Sequence, residues 1–201
     1  MHLMFLMSMP IDNLFPIPVA SIPNFITTEE RLKLLDVIKR MEYSNHSALD
    51  GNAGSNHKSQ CHNPIDFVDD NIKQRIQSAV DSYTEESGHA PSKLHTLWSN
   101  IQQPGSALRE HCHPSSVLSG ALYINVDDNS VLPVHNPNPY VKFEEPYKST
   151  RYNSYGVDLK VSNGELIIFP AWLRHGNGIV NQMIDRVVIS FNTKLNKKYY
   201  Y

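Results

Sequence analysis

Thiols are scarce: Cys61 and Cys112 are the only cysteines in 201 residues, and they form no CxxC pair. That excludes a disulfide scaffold and a cysteine-rich zinc module, and it fits a reducing, cytoplasmic setting. Charge of one sign is also missing. The 18 Lys and Arg against 20 Asp and Glu leave a net charge of −2, so no global positive field exists to hold a phosphate backbone and nucleic-acid binding is not expected. The one basic cluster, Lys194, Lys197 and Lys198 ahead of Tyr199, Tyr200 and Tyr201, reads as a solvated end without function. Long apolar runs are absent as well. The apolar start, Met1 to Met9, has no basic flank and is ended by Pro10 and Asp12, too short for a signal core or a membrane span. No internal repeat or low-complexity block appears. What remains, 40% hydrophobic and 19% charged residues, is the composition of a globular chain, and its length suits a single domain over 1–201.

The two halves follow different rules. Thr27, Thr28, Glu29 and Glu30 form a capping box ahead of Leu32, Leu34, Leu35, Val37, Ile38 and Met41 at helical spacing, which predicts a helix over 28–41. Ile72, Ile76, Val80 and Tyr83 lie on one stripe, with Gly88 beyond them as a stop, which predicts a second helix over 69–86. The polar stretch from Ser44 to Pro64 between them reads as an irregular loop. From Leu94 onward, short turn-bounded runs of β-branched and aromatic residues predict strands at 94–103, 117–126, 131–134, 165–170, 178–181 and 186–194. Helices ahead of strands, without βαβ alternation, point to a mainly β antiparallel barrel or sandwich. Residues 1–93 are then a helical support and 94–201 the β core, with a long loop, 136–163, in the position of a lid.

Chemistry concentrates in Glu110-His111-Cys112-His113-Pro114, because alternation along an extended chain sends His111 and His113 to one side. About sixty residues on, Gly164-Glu165-Leu166-Ile167-Ile168-Phe169-Pro170 is an apolar strand, and Ala171-Trp172-Leu173-Arg174-His175-Gly176 follows. His175 therefore lies in a loop directly after a core strand, where site residues are commonly held. In the last strand, period two puts Arg186, Ser190 and Asn192 on one face and Val187 and Ile189 on the other. An Arg and a hydroxyl on one strand face can grip a carboxylate. Asn100 and Trp98 lie on an inner strand, Asn100 being either a cosubstrate contact or a backbone-bonded core residue. Trp172 reads as a core plug, and His57, His62, His95 and His135 as surface residues.

Taken together, His-x-His-Pro, Leu118-Ser119-Gly120-Ala121-Leu122-Tyr123-Ile124, the segment from Gly164 to His175, and Arg186-Val-Val-Ile-Ser-Phe-Asn resemble a small family of iron- and 2-oxoglutarate-dependent oxygenases found in bacteria and phages. The chain is similar, more distantly, to prolyl hydroxylases. The resemblance covers about residues 94 to 194; the first ninety residues match only in placing helices before the barrel. It implies a double-stranded β-helix (jelly-roll or cupin-like) barrel, and an Fe(II)- and 2-oxoglutarate-dependent dioxygenase, a hydroxylase that consumes O₂. The substrate, a small molecule or a protein side chain, is left open, as is a homodimer. Carried over residue by residue, His111 and His175 match the two ligand histidines, Tyr123 a tyrosine that hydrogen-bonds the cosubstrate, and Arg186 with Ser190 the pair that holds its distal carboxylate.

Position 113 departs from the wider superfamily, in which Asp or Glu completes a facial triad. Here the residue is His113, the preferred third ligand, with Glu110, Asp127 and Asp128 as alternatives. Three neutral imidazoles leave Fe(II) at its full charge of +2, which favours a dianionic chelator. Three histidines with an open position also resemble thiol dioxygenases and hydrolytic zinc sites. Arg186 and Ser190 argue against both, since neither chemistry needs a carboxylate clamp. A catalytically silent metal- or ligand-binding barrel is the remaining alternative.

Overall fold

The computed structural model describes residues 10–57, 67–142, 147–150, 152–176, 178–179 and 183–196. Cys61 and His62 fall outside them. Two helices form where the sequence places them, and each is bounded by side-chain chemistry. Helix α1, Thr28–Lys39, opens on the capping box: Thr27 N–H donates to Glu30 Oε2 at 2.8 Å, and Glu30 N–H donates to Thr27 Oγ1 at 3.2 Å. Helix α2, Asp70–Ser87, is capped by Asp69 and stopped by Gly88 in the left-handed conformation. Its expected stripe of Ile72, Ile76, Val80 and Tyr83 is buried, whereas in α1 Leu32 and Val37 face solvent, Leu34 and Ile38 are buried, and Leu35 packs half-buried against the core.

Eleven strands follow among the described residues: β1 Ala20–Ile22, β2 Leu49–Asp50, β3 Ala53–Ser55, β4 Ser92–Gln102, β5 Ala107–Leu108, β6 Leu118–Asn125, β7 Val131–His135, β8 Gly156–Lys160, β9 Leu166–Pro170, β10 Gly178–Ile179 and β11 Arg186–Leu195. Six of them make an antiparallel sheet in the order β1-β9-β6-β11-β4-β3. Strand β11 lies inside it, and its period-two pattern separates the two faces. Val187, Ile189 and Phe191 pack with α1 and α2 in one core. Val188, on the opposite face, joins Tyr123, Ile167 and Phe169 against Leu132, Val161 and Leu173. The sheet is thus helix-covered on one side and faces a second β layer on the other.

That second layer is made of β10-β5-β2 and β7-β8. It is joined through His175, which bridges both His111 and Val134. The stretch expected to be one long loop over 136–163 differs from expectation. Its second half supplies β8, paired along all of β7, and Pro139–Lys142 forms a 3-10 turn. The strand was hidden because Gly156–Lys160 is largely exposed and shows no apolar run. The loop from Ser44 likewise carries two short strands, which pair with the distant β5 and β4, while Ser55 also bridges Ser44.

Candidate metal centre

His111, His113 and His175 converge. One ligand atom from each lies within 4.8 Å of the others, on the wall of one cavity. Backbone pairing sets their positions. His111 and His175 exchange both N–H···O bonds at 2.9 Å, continuing the register of β5 and β10. His113 N–H donates to the carbonyl of Ala171 at 2.9 Å, tying the HxH segment to the turn after β9. The expected convergence of His111 and His113 therefore depends on two different strands at once.

The tautomers follow from the partners. His175 Nδ1 sits 2.9 Å from the Leu173 carbonyl, and His111 Nδ1 sits 2.7 Å from the Arg109 carbonyl. A carbonyl only accepts, so both Nδ1 atoms carry the proton and both Nε2 lone pairs are free to ligate. His113 Nε2 stands 3.3 Å from His175 Nε2. Two imidazole nitrogens bound at right angles to one ion would be separated by about 3 Å, so the pair fits a shared metal.

Burial keeps the rings neutral. It pushes His113 down to about 3 and His175 down to about 4, and it lowers His111 as well, with neighbouring imidazoles adding to the effect. A cluster of uncharged bases with lone pairs turned inward is a ligand set for a divalent ion. The alternative ligands are elsewhere. Glu110 is engaged by Arg174 and lies 3.9 Å from His135 Nδ1, and Asp127 accepts from the backbone of Asn129 and Met183 at 3.0 Å.

Gly176 holds this geometry in place. Its φ is +94°, and a Cβ there would stand 2.5 Å from the Arg109 carbonyl oxygen. Gly176→Ala is expected to push the His175 segment off the His111 segment, lowering Tm by several degrees and weakening metal uptake together. Unfolding curves with and without added metal check this; wild-type behaviour in both would show that the bridge tolerates a side chain.

The cluster borders a cavity of about 560 Å³ between the sheets. Arg186, Val188, Ser190, Asn192 and Lys194 of β11 line it, and so do Asn100, Gln102 and Tyr123. Arg186 is only 8% exposed. Its Nη1 donates to Gln102 Oε1 at 2.7 Å, its Nε to Ser130 Oγ at 3.4 Å, and its guanidinium lies 5.4 Å from the Tyr123 ring centroid. None of these partners is an anion, and among the described residues no carboxylate pairs with it. Burial accordingly lowers its pKa and pushes the Tyr123 hydroxyl up to about 12. Gln102 Nε2 and Tyr123 Oη are buried without a hydrogen-bond partner. A guanidinium without an anionic partner, beside an amide N–H and a phenol left unsatisfied, fits a carboxylate. Ser190 Oγ accepts from Asn100 Nδ2 at 3.4 Å on the same face.

Several expectations change. Trp172 is 51% exposed and is no core plug, because the turn after β9 directs it outward while Ala171 and Leu173 are buried. His57 is half-buried inside the cavity, its ring 4.7 Å from Trp98 and 5.5 Å from His46. His95 is exposed as expected and also stands at the cavity rim, while His135 is held by the Gly176 carbonyl at 2.9 Å rather than free on the surface. Gln102, the principal partner of Arg186, and His46 had no sequence signal, since each acquires its place only through pairing with remote segments.

Residues 96–192 match the family model described as "Putative 2OG-Fe(II) oxygenase". None of the curated proteins compared matches the chain. Among solved structures, a Pseudomonas putida prolyl-4-hydroxylase is 12% identical with a TM-score of 0.58, over 90% of this chain and 94% of that one. HygX from Streptomyces hygroscopicus, with nickel, 2-oxoglutarate and hygromycin B bound, is 11% identical with a TM-score of 0.61, over 90% and 84%. A Trichoplax adhaerens prolyl hydroxylase in complex with a hypoxia inducible factor peptide fragment is 11% identical with a TM-score of 0.57, over 90% and 84%. These likenesses identify the two-sheet barrel as a double-stranded β-helix.

Proposed function

We propose a residue assignment for a chain whose β core, residues 96–192, is that of a 2OG-Fe(II) oxygenase: His111, His113 and His175 hold the iron, and Arg186 holds the distal carboxylate of 2-oxoglutarate. The enzyme is a 2-oxoglutarate-dependent dioxygenase of unknown substrate. The observation that carries the assignment is the buried, anion-free Arg186, with orphaned Gln102 and Tyr123 polar atoms, in the same cavity as three inward-facing imidazoles.

When bound, iron with 2-oxoglutarate and O₂ supplies a substrate oxidation coupled to loss of CO₂ from 2-oxoglutarate, which ends as succinate. The chain's own residues bind, orient and exclude water. The carbonyls of Arg109 and Leu173 fix the His111 and His175 rings with Nε2 inward. Arg186, Tyr123 and Ser190, with Asn100 behind Ser190, offer donors to the distal carboxylate. Phe169, Leu132 and Val188 form apolar walls that keep the reacting region dry. The HxH set lacks the carboxylate of a facial triad, so charge balance falls to the dianionic cosubstrate. The Arg186 clamp favours this reading over a three-histidine dioxygenase or zinc hydrolase that works without 2-oxoglutarate.

Residue 113 provides the test. His113→Ala removes one of three ligands and is expected to lose iron affinity. His113→Asp restores a short anionic ligand, and is expected to bind iron more loosely than wild type yet still form succinate with O₂ uptake. Wild-type iron binding and turnover in His113→Ala would move the third ligand elsewhere. A cytoplasmic setting, suited to Fe(II) and to the free thiol of Cys112, and action on a small molecule or a protein side chain belong to the same proposal. Among the described residues no helix is long and apolar enough to cross a membrane.

A further inference from the structure

We propose that the substrate is an anion, a molecule carrying a carboxylate or a phosphate, seated at the Lys194 end of the cavity. This rests on the oxygenase reading, because it treats the Arg186 end as taken by 2-oxoglutarate.

Strand β11 serves as a ruler along the cavity. Ser190 pairs with Trp98, and the Trp98 ring lies 5.9 Å from that of His113, so the middle of β11 passes the metal cluster. Arg186 and Lys194 are each four residues from Ser190, about 13 Å in opposite directions along the strand. The cavity therefore has two cationic ends with the metal cluster between them. Arg186 faces the orphaned donors of Gln102 and Tyr123; the other end has an orphan of its own. Thr96 Oγ1 is buried there without a hydrogen-bond partner, while His57 Nδ1, also buried without one, lies beside Trp98 nearer the middle. Thr96 pairs with Asn192 across the strands. The Oδ1 of Asn192 is engaged by Ser119 Oγ at 2.6 Å, leaving its Nδ2 to donate.

A break in the ladder builds this end. Between Asn192 and Thr193 the register shifts: Asn192 pairs with Thr96 and Thr193 with Leu94, so His95 is skipped. Such a bulge re-aims a side chain, and His95 and Thr96 both border the cavity although they are consecutive. Lys194, two residues beyond Asn192, borders it as well.

Charge then selects the ligand. Among the described residues that line the cavity none is Asp or Glu, while Arg186 and Lys194 both do. With Arg186 matched by the 2-oxoglutarate carboxylate, a cationic substrate would still meet Lys194, with no lining carboxylate among the described residues to offset it. An anion meets Lys194, with Asn192 and Thr96 as further donors, and the Trp98 face packs against whatever body carries the charge.

The test uses the two tryptophans. Trp172 is exposed and outside the cavity, so Trp172→Phe leaves Trp98 as the sole indole reporter. Protein loaded with nickel and saturating 2-oxoglutarate is titrated with phenylacetate, phenyl phosphate, phenylacetamide and phenethylamine, following Trp98 fluorescence. The expected result is saturable binding of at least one anion, with the amide at least tenfold weaker and the amine weaker still. Comparing phenylacetate with phenyl phosphate tells which anion the end prefers. Lys194→Gln in the same background is expected to weaken anion binding at least tenfold while nickel and 2-oxoglutarate affinities stay unchanged. Binding of neither anion, equal binding of the amide or amine, or an unaffected Lys194→Gln variant overturns the proposal. Failure of the parent protein to take up nickel or 2-oxoglutarate would instead overturn the oxygenase reading, and the loading step reports that separately.

Discussion

His175→Ala is expected to abolish stoichiometric iron binding. His175 is the most enclosed of the three histidines, 4% exposed, and it is the only one whose backbone bridges both halves of the second β layer. Its Nε2 faces that of His113 at 3.3 Å, and its ring lies 4.4 Å from that of His111, centroid to centroid. Removing it leaves two imidazoles and a hole at the centre of the cluster. Backbone pairing at position 175 does not need the ring, so the fold is expected to persist, with the lost Nδ1–H bond to Leu173 as its main cost. Metal content after anaerobic loading, alongside a far-ultraviolet dichroism spectrum, decides the matter. A folded variant that retains one iron per chain would show that the cluster is not the metal site.

Arg186→Ala is expected to weaken 2-oxoglutarate binding by roughly 30-fold or more, because truncating one partner of a buried charged pair costs about 2 to 5 kcal/mol. Two further outcomes sharpen this. Arg186→Lys keeps the charge but not the planar fork that matches a carboxylate, so it is expected to recover only part of the affinity. Iron binding is expected to remain, since Arg186 belongs to the opposite side of the cavity from the histidines' backbone anchors. Calorimetry of 2-oxoglutarate binding to the metal-loaded variants is the measurement. Wild-type affinity in Arg186→Ala would remove the clamp, and a parallel loss of iron would mean that Arg186 supports the site structurally rather than binding the cosubstrate. Free Arg186 is not idle in the protein: it holds Gln102 at 2.7 Å. The variant therefore leaves Gln102 Oε1 unsatisfied in addition to its Nε2, which lowers stability independently of ligand affinity.

The sequence by itself determined whatever depends on local periodicity. The capping box and the Ile72, Ile76, Val80, Tyr83 stripe specified two helices, because their signals lie within a turn or two of the chain. Alternation along β11 separated Val187 and Ile189 from Arg186, Ser190 and Asn192, because side-chain direction in a strand has period two wherever the strand pairs. The same rule put His111 and His113 on one side, and the end of an apolar strand marked His175. The tertiary structure alone decided what depends on which distant strand lies alongside. Gln102 became the partner of Arg186 through the β4–β11 register, and His175 met His111 through pairing across more than sixty residues. A single skipped residue in that register turned His95 to the cavity, and the short strands β2 and β3 carried the loop that puts His46 and His57 there. Lys194, read from the sequence as solvated, is indeed exposed, and pairing places it at the rim of the cavity. Strand partners are chosen by the burial of whole faces rather than by any local motif, so the residue types of a site can be read along the chain while their company cannot.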